Sequence, residues 1–170
     1  MRWLWVLRLS LLPLSCMLAA DAALAQATKD AAKDIIGMWS LVSVTVDRDG
    51  NKSEPFGSKP KGVLAFDRSG HFSLVITRAD LPKIASNNRT MGTADENKAI
   101  VRGTVAYFGT YTISEADRMF VVHVEGATFP NWVGTDQKRI FAINGDQLRW
   151  TNSNRSGGEG TALVIWKRMN

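Results

Sequence analysis

The sequence predicts an all-β protein: one eight-stranded antiparallel up-and-down barrel, with a short helical insertion between strands 3 and 4. Eight segments between residues 37 and 168 show the two-residue alternation of side chains that is typical of strands. Most of them are joined by short turns, and short turns make neighbouring strands antiparallel. An open sheet of this size would leave two exposed edges, which closure into a barrel removes.

The strand segments are separated by stretches rich in turn-forming residues. In chain order the expected strands cover residues 37–46, 62–67, 71–77, 104–113, 119–125, 135–141, 147–152 and 161–168. Short turn signals lie at residues 47–51, 68–70 and 144–146. Longer loops are expected at residues 52–60, which contain two prolines, and at the Gly-rich residues 153–160.

Residues 78–103 show no strand alternation and are predicted to contain the helix. Thr93 and Glu96 form a capping box, in which each side chain satisfies a free amide at the helix start. The helix is expected from about Ala94 to Val101, to end near Gly103, and to cover one end of the barrel.

The first 25 residues are predicted to be a signal peptide rather than part of the fold. The start is basic, with Arg2 and Arg8, and residues 9–20 are an apolar run of signal-peptide length. Ala23-Leu24-Ala25 is an A-x-A cleavage signal. A membrane-spanning helix needs about 20 apolar residues, and Asp21 interrupts this run. We expect an exported protein, periplasmic or secreted, cleaved near Ala25 and not stably inserted in a membrane.

Cleavage would leave an N-terminal lead, residues 26–36, and one barrel domain, residues 37–168. The only cysteine, Cys16, leaves with the signal peptide, so the core alone must hold the fold. A thiol nucleophile and a cysteine metal site are thereby excluded. The formal charge is +5, but the basic residues are scattered among acidic ones and form no stripe with aromatics. We expect no nucleic-acid partner.

The hairpin spanning residues 119–141 is the most informative stretch. One face of its first arm is Met119, Val121, His123 and Glu125, and the other is Phe120, Val122 and Val124. The second arm places Thr135, Gln137, Arg139 and Phe141 on one face. With a loop centre near residues 127–131, we expect Glu125 and Arg139 to face each other, beside His123 and Gln137. Such a polar row is either a solvated outer surface or the wall of a polar-lined cavity, and the sequence leaves both open.

Several motifs carry a resemblance to a known family. They are residues 37–43 (GMWSLVS), residues 55–57 (PFG) through 61–62 (KG), residues 107–111 (YFGTY) and, above all, residues 123–139. On these motifs the chain resembles the lipocalin-like domain family of bacteria and fungi, a calycin-type barrel family, over most of residues 37–168. The resemblance implies an eight-stranded barrel with a cavity and no established chemistry. It also implies that Trp39 closes the barrel base, covered by Arg168 from the last strand.

The candidate ligand-binding residues share either an aromatic ring or a polar group on the hairpin. They are Tyr107, Tyr111, His123, Glu125, Phe129, Asn131, Trp132, Gln137 and Arg139. The two tyrosines suit a core or a cavity wall. The loop aromatics Phe129 and Trp132 suit a ligand gate, a partner contact or a plug over the barrel end.

Other site types have little support. The two histidines, His71 and His123, are far apart and share no carboxylate cluster, so no metal is expected. Residues 157–160 (GGEG) lack the Lys-Ser/Thr of a phosphate loop. No Gly-x-Ser-x-Gly nucleophile motif is present, and no cofactor is expected.

Three functions remain for such a barrel. The first is an exported protein that binds one small lipophilic molecule in its cavity. The second is an isomerase or cyclase that uses the same cavity, with His123 and Glu125 as acid and base. The third is a ligand-free structural or partner-binding module.

Overall fold

The strands of the computed structural model, which describes residues 34–114, 116–153 and 155–169, form one antiparallel sheet. The strands are β1 (Gly37–Arg48), β2 (Asn51–Ser53), β3 (Lys61–Phe66), β4 (His71–Thr77), β5 (Thr104–Ser114), β6 (Met119–Ala127), β7 (Asp136–Asn144), β8 (Gln147–Asn152) and β9 (Thr161–Arg168). Helix α1 is Ala94–Gly103, and a 3₁₀ helix is Pro130–Trp132. The predicted signal peptide and residues 26–33 of the lead lie outside the described residues.

Pairing of β1 with β9 closes the sheet into a barrel. These two strands pair from Trp39 with Arg168 to Asp47 with Thr161, and β3 to β9 pair in chain order. Eight strands make the barrel, because β2 pairs only with the far end of β1. The predicted eight-stranded antiparallel barrel is confirmed. Within the described residues, no helix has the length and apolar character needed to cross a membrane.

The short strand β2 differs from the sequence prediction, which placed a loop at residues 52–60. The turn before it is tight, with Asp49 and Gly50 both at positive φ and Gly50 N donating to Asp47 Oδ1 at 2.8 Å. The reversal is sharp enough for the ladder to continue for three residues. The helix therefore falls between β4 and β5 in the observed count, although it still follows the third barrel strand.

Helix α1 begins at the predicted capping box. The Thr93 hydroxyl accepts from Glu96 N at 3.2 Å, and the Glu96 carboxylate accepts from Thr93 N at 2.8 Å. The same carboxylate also accepts from Ala85 N at 2.9 Å, which ties the preceding loop to the helix. These backbone hydrogen bonds, the one from Ala85 first, lower the pKa of Glu96. The box therefore fixes both the helix and the loop that leads into it.

One end of the barrel, the base, is sealed by Trp39 and Arg168. Both Trp39 and Ile35 are fully buried, and Trp39 Nε1 donates to Ile35 O at 2.9 Å. The Arg168 guanidinium lies 4.1 Å from the centroid of the Trp39 ring. It also donates to Ile36 O at 3.0 Å and to Asp34 O. The end of the lead is thus held against the barrel by one cation.

We predict that Arg168→Met lowers the free energy of unfolding by about 2–3 kcal/mol, because it removes a cation–π contact and two hydrogen bonds from a charged donor. Urea unfolding measures the loss. The matched control is Arg149→Met, an exposed arginine on β8, for which we expect a change within about 0.5 kcal/mol. Equal changes in the two variants would contradict a sealing role for Arg168.

Candidate functional site

A cavity of about 450 Å³ opens at the barrel end opposite the base. Its mouth is formed by the loop before β3, the end of α1, the β6–β7 loop and the β8–β9 loop. Its volume lies within the range that holds a small organic ligand. The strand ends and loops at this end of the barrel therefore define the candidate site.

The inner wall of the cavity is mainly apolar. Aliphatic side chains come from β1, β4, β5 and β9, namely Val44, Val46, Leu74, Ile76, Val105, Ala162 and Val164. Aromatic rings are contributed by Phe56, Tyr107, Phe129, Trp132 and Trp150. Such a lining gains free energy from any apolar surface that enters it, without specifying one chemical structure.

The loop aromatics of the hairpin fold back over the barrel end. Trp132 is 6% exposed, and its ring packs edge-on against Tyr107 at 5.2 Å and Phe129 at 5.6 Å between centroids. All three rings line the cavity. Asn131, between the two loop aromatics, is exposed and does not line the cavity. The hairpin tip thus supplies part of the cavity wall rather than an exposed aromatic patch.

The second tyrosine, Tyr111, lies outside the cavity lining. Its ring packs edge-on against Phe66 at 4.8 Å, and its hydroxyl donates to Asp67 O at 2.7 Å. Partial burial, and then the negative charge of Asp67, raise the pKa of the Tyr111 phenol. These contacts tie the β3–β4 turn to β5.

The register of β6 and β7 contradicts the predicted pairing of Glu125 with Arg139. His123 pairs with Asp136 and Phe120 with Arg139, which places the loop centre between residues 129 and 130. Because paired residue numbers add to an odd number, the odd-numbered face of β7 joins the even-numbered face of β6. Arg139 therefore shares the interior with Phe120, and Glu125 points outward.

The outward positions of β6 form a solvated surface. His123 Nδ1 lies 2.8 Å from Asp136 Oδ1, and both side chains are at least half exposed. Glu125 is exposed at a bulge in the β5–β6 ladder, where Phe108 pairs with Gly126 and Gly109 pairs with Val124. No His, Asp or Glu belongs to the cavity lining in the described part of the chain. The residues proposed as acid and base thus do not meet a substrate there.

The inward positions of β7 are polar and buried. Gln137 and Arg139 are each 1% exposed. Arg139 Nη1 donates to Lys138 O at 3.0 Å and Nη2 to Gln137 Oε1. Gln137 Nε2 donates to Thr135 Oγ1 at 3.4 Å, and that hydroxyl donates to Trp132 O at 2.7 Å. A polar row, defined as Thr135, Gln137 and Arg139, therefore runs inside the barrel from the cavity wall at Trp132.

Two arginines at the mouth were missed from the sequence. Arg102 of α1 and Arg155 of the β8–β9 loop both line the cavity. Arg155 donates to Gly158 O at 3.3 Å and to Glu159 O, and Arg48 donates to the same Glu159 carbonyl at 3.2 Å. Burial, and then the charge of Arg48, lower the pKa of Arg155. Neither position carries a sequence signal, because an exposed helix end and a Gly-rich loop accept arginine anywhere.

Metal binding has no support in the described residues. No group of three or more His, Cys, Asp or Glu side chains there is arranged to hold an ion. The His71 ring instead hydrogen-bonds Ser69 at 2.9 Å, within the β3–β4 turn.

Comparison with known proteins identifies relatives of this barrel. The sequence profile of the lipocalin-like domain family matches residues 36–169. A curated relative is the 4'-hydroxy-3'-methoxypropiophenone carrier protein of Aspergillus oryzae, 27% identical over 106 residues, which are 57% of this chain and 96% of the relative.

A solved structure with a related shape is the crystal structure of a mutant of the fluorescent protein UnaG. The match has a TM-score of 0.36 and 10% sequence identity, and it covers 81% of this chain and 97% of that chain. A match at this score carries no argument about the ligand.

We predict that Arg139→Met leaves the free energy of unfolding unchanged or raises it by about 1–2 kcal/mol, because no described carboxylate pairs with this buried charge. Chemical unfolding by urea measures the change. The comparison variant is Glu125→Gln, an exposed change expected to stay within about 0.5 kcal/mol. A loss of about 3–5 kcal/mol in Arg139→Met, the cost of breaking a buried ion pair, would restore the pairing rejected above.

Proposed function

We propose that this chain, which belongs to the lipocalin-like domain family, binds one small, largely apolar molecule in its barrel cavity. The observation that carries the proposal is the cavity of about 450 Å³, open at one end and walled mainly by aliphatic and aromatic side chains. A concave apolar site of this kind is the usual form of a small-molecule site.

The curated relative supports the same class of function. That protein is named as a carrier of a substituted propiophenone, and the region shared with this chain covers nearly all of it. We carry over only the class, a small-molecule carrier, because identity of 27% leaves the cavity side chains free to differ.

Catalysis in the cavity has less support. The isomerase or cyclase hypothesis rested on His123 and Glu125, whose side chains are exposed on the outer face of β6. A ligand-free module remains the alternative, and a binding measurement separates it from a carrier.

We also propose that the protein acts after export. The basic start, the apolar run at residues 9–20 and the A-x-A signal ending at Ala25 support this proposal. A mature chain without cysteine also suits a barrel that depends on core packing and not on disulfides.

We predict that Ala162→Phe weakens binding of a small lipophile by about tenfold or more, because the added ring occupies cavity volume beside Val164. Fluorescence titration provides the readout, since Trp132 and Trp150 line the cavity. The matched control is Leu163→Phe, the next residue of β9 and 39% exposed, which should keep wild-type affinity. Saturable binding that both variants retain equally would place the ligand elsewhere, and no saturable binding by the wild type would favour the ligand-free module.

We predict that the chain expressed in a bacterial host is recovered from the periplasm or medium with Gln26 as its first residue, because cleavage follows the A-x-A signal. Intact-mass measurement and N-terminal sequencing check this. Ala25→Tyr should block cleavage by removing the small residue, whereas Ala27→Tyr, outside the A-x-A triplet, should be processed. Recovery of the wild type in the cytoplasm with residues 1–25 attached would contradict export.

A further inference from the structure

Arg139 carries a buried positive charge that no described acidic side chain balances. Its side chain is 1% exposed, and no ion pair within 4.0 Å joins it to a described Asp or Glu. Two of its nitrogens donate to neutral oxygens, Lys138 O and Gln137 Oε1, and Nε has no partner. An arginine keeps its charge in proteins, and a buried charge without a counter-ion is unfavourable. An anion is therefore the missing partner.

Arg139 lies at the level of the cavity and not beneath it. β7 runs from the mouth towards the base and β8 runs back, with Phe141 opposite Trp150. Two positions nearer the mouth, the same register brings Arg139 opposite Asn152 on the inner face. Trp150 and Asn152 both line the cavity, and Trp150 is the deeper of the two. The cavity thus extends past the level of Arg139, along the neighbouring strand.

The free edge of the guanidinium suits a carboxylate. Nε and Nη2 form one edge of the group, and a carboxylate can accept two parallel hydrogen bonds from such an edge. In Arg139, Nε is unpartnered and Nη2 bonds only to the neutral amide oxygen of Gln137. The Asn152 amide, whose Oδ1 is also buried and unpartnered, occupies the facing position of the same wall. A ligand carboxylate would satisfy the edge with stronger, charge-assisted bonds.

The mouth has the same sign of charge. Arg102 and Arg155 are its charged lining residues, and no acidic side chain lines the described part of the cavity. A cleft lined by charge of one sign attracts ligands of the opposite sign. An anion entering the cavity would therefore meet favourable potential from the mouth to Arg139.

We propose that the molecule held in the barrel is an acid, with an apolar body in the cavity and a carboxylate paired with Arg139. This inference rests on the proposed binding function and names the chemical class of its ligand. The mouth arginines attract the anion, and Arg139 holds it.

The test compares an acid with its neutral ester. N-phenyl-1-naphthylamine, a neutral fluorescent lipophile, first establishes binding, and decanoate and methyl decanoate then compete with it. We expect decanoate to bind the wild type about tenfold tighter than the ester, because only the acid gains the charge-assisted bonds. No saturable binding of the dye or of either competitor would reject the proposed function itself. Binding of dye and ester, with decanoate no tighter, would reject only the acid ligand.

Variants locate the preference. Arg139→Met should bring the acid-to-ester ratio to about one and leave ester affinity at its wild-type value, which also shows that the barrel is folded. Arg139→Lys, which keeps the charge but loses the planar edge, should retain an intermediate preference. The controls Arg102→Gln and Arg155→Gln should keep the ratio within about threefold of wild type. An acid preference that survives in Arg139→Met, or that disappears in a mouth variant instead, would overturn the assignment to Arg139.

Discussion

Pairing of the first strand with the last is the constraint on which the molecule depends. Along β1 and β9 the ladder runs from Trp39–Arg168 to Asp47–Thr161, with one irregularity between Leu41 and Ser43. Without it the other pairings would form an open sheet with two long unpaired edges and no enclosed interior. The contact also brings Arg168 next to Trp39, so strand closure and the sealing of the base are one event. A barrel domain without cysteine depends on this coupling, because no disulfide holds its two ends together.

The sequence predicted the architecture well because each architectural signal is local. Alternation over single strands, the turn at Asn144-Gly145 and the capping box of Thr93 and Glu96 each depend on a few neighbouring residues. The Trp39–Arg168 contact was anticipated from family resemblance, since 129 positions separate the two residues. The strand β2 was missed because its three residues are all exposed and show no apolar alternation.

The site was harder to predict because it depends on parity and on distant loops. The loop centre of the hairpin fell inside the expected window, yet a shift of one residue decides whether β7 turns Arg139 or Lys138 inward. Polar side chains gave the wrong hint, because His123 and Glu125 look like a site and face solvent, whereas the buried row belongs to the partner strand. Arg102 and Arg155 are brought together only by folding, since 53 residues separate them in the chain.

The sealed base gives the cavity a floor and only one described opening. Behind that floor the rings of Phe66, Phe120, Trp150 and Trp166 follow one another at 5.3–5.4 Å between centroids, which leaves no passage through the barrel. A molecule inside must enter and leave by the same end, and its length is limited by the depth to these rings. The barrel thus acts as a ruler: side chains at the floor set the longest occupant, and side chains at the mouth set how fast it exchanges.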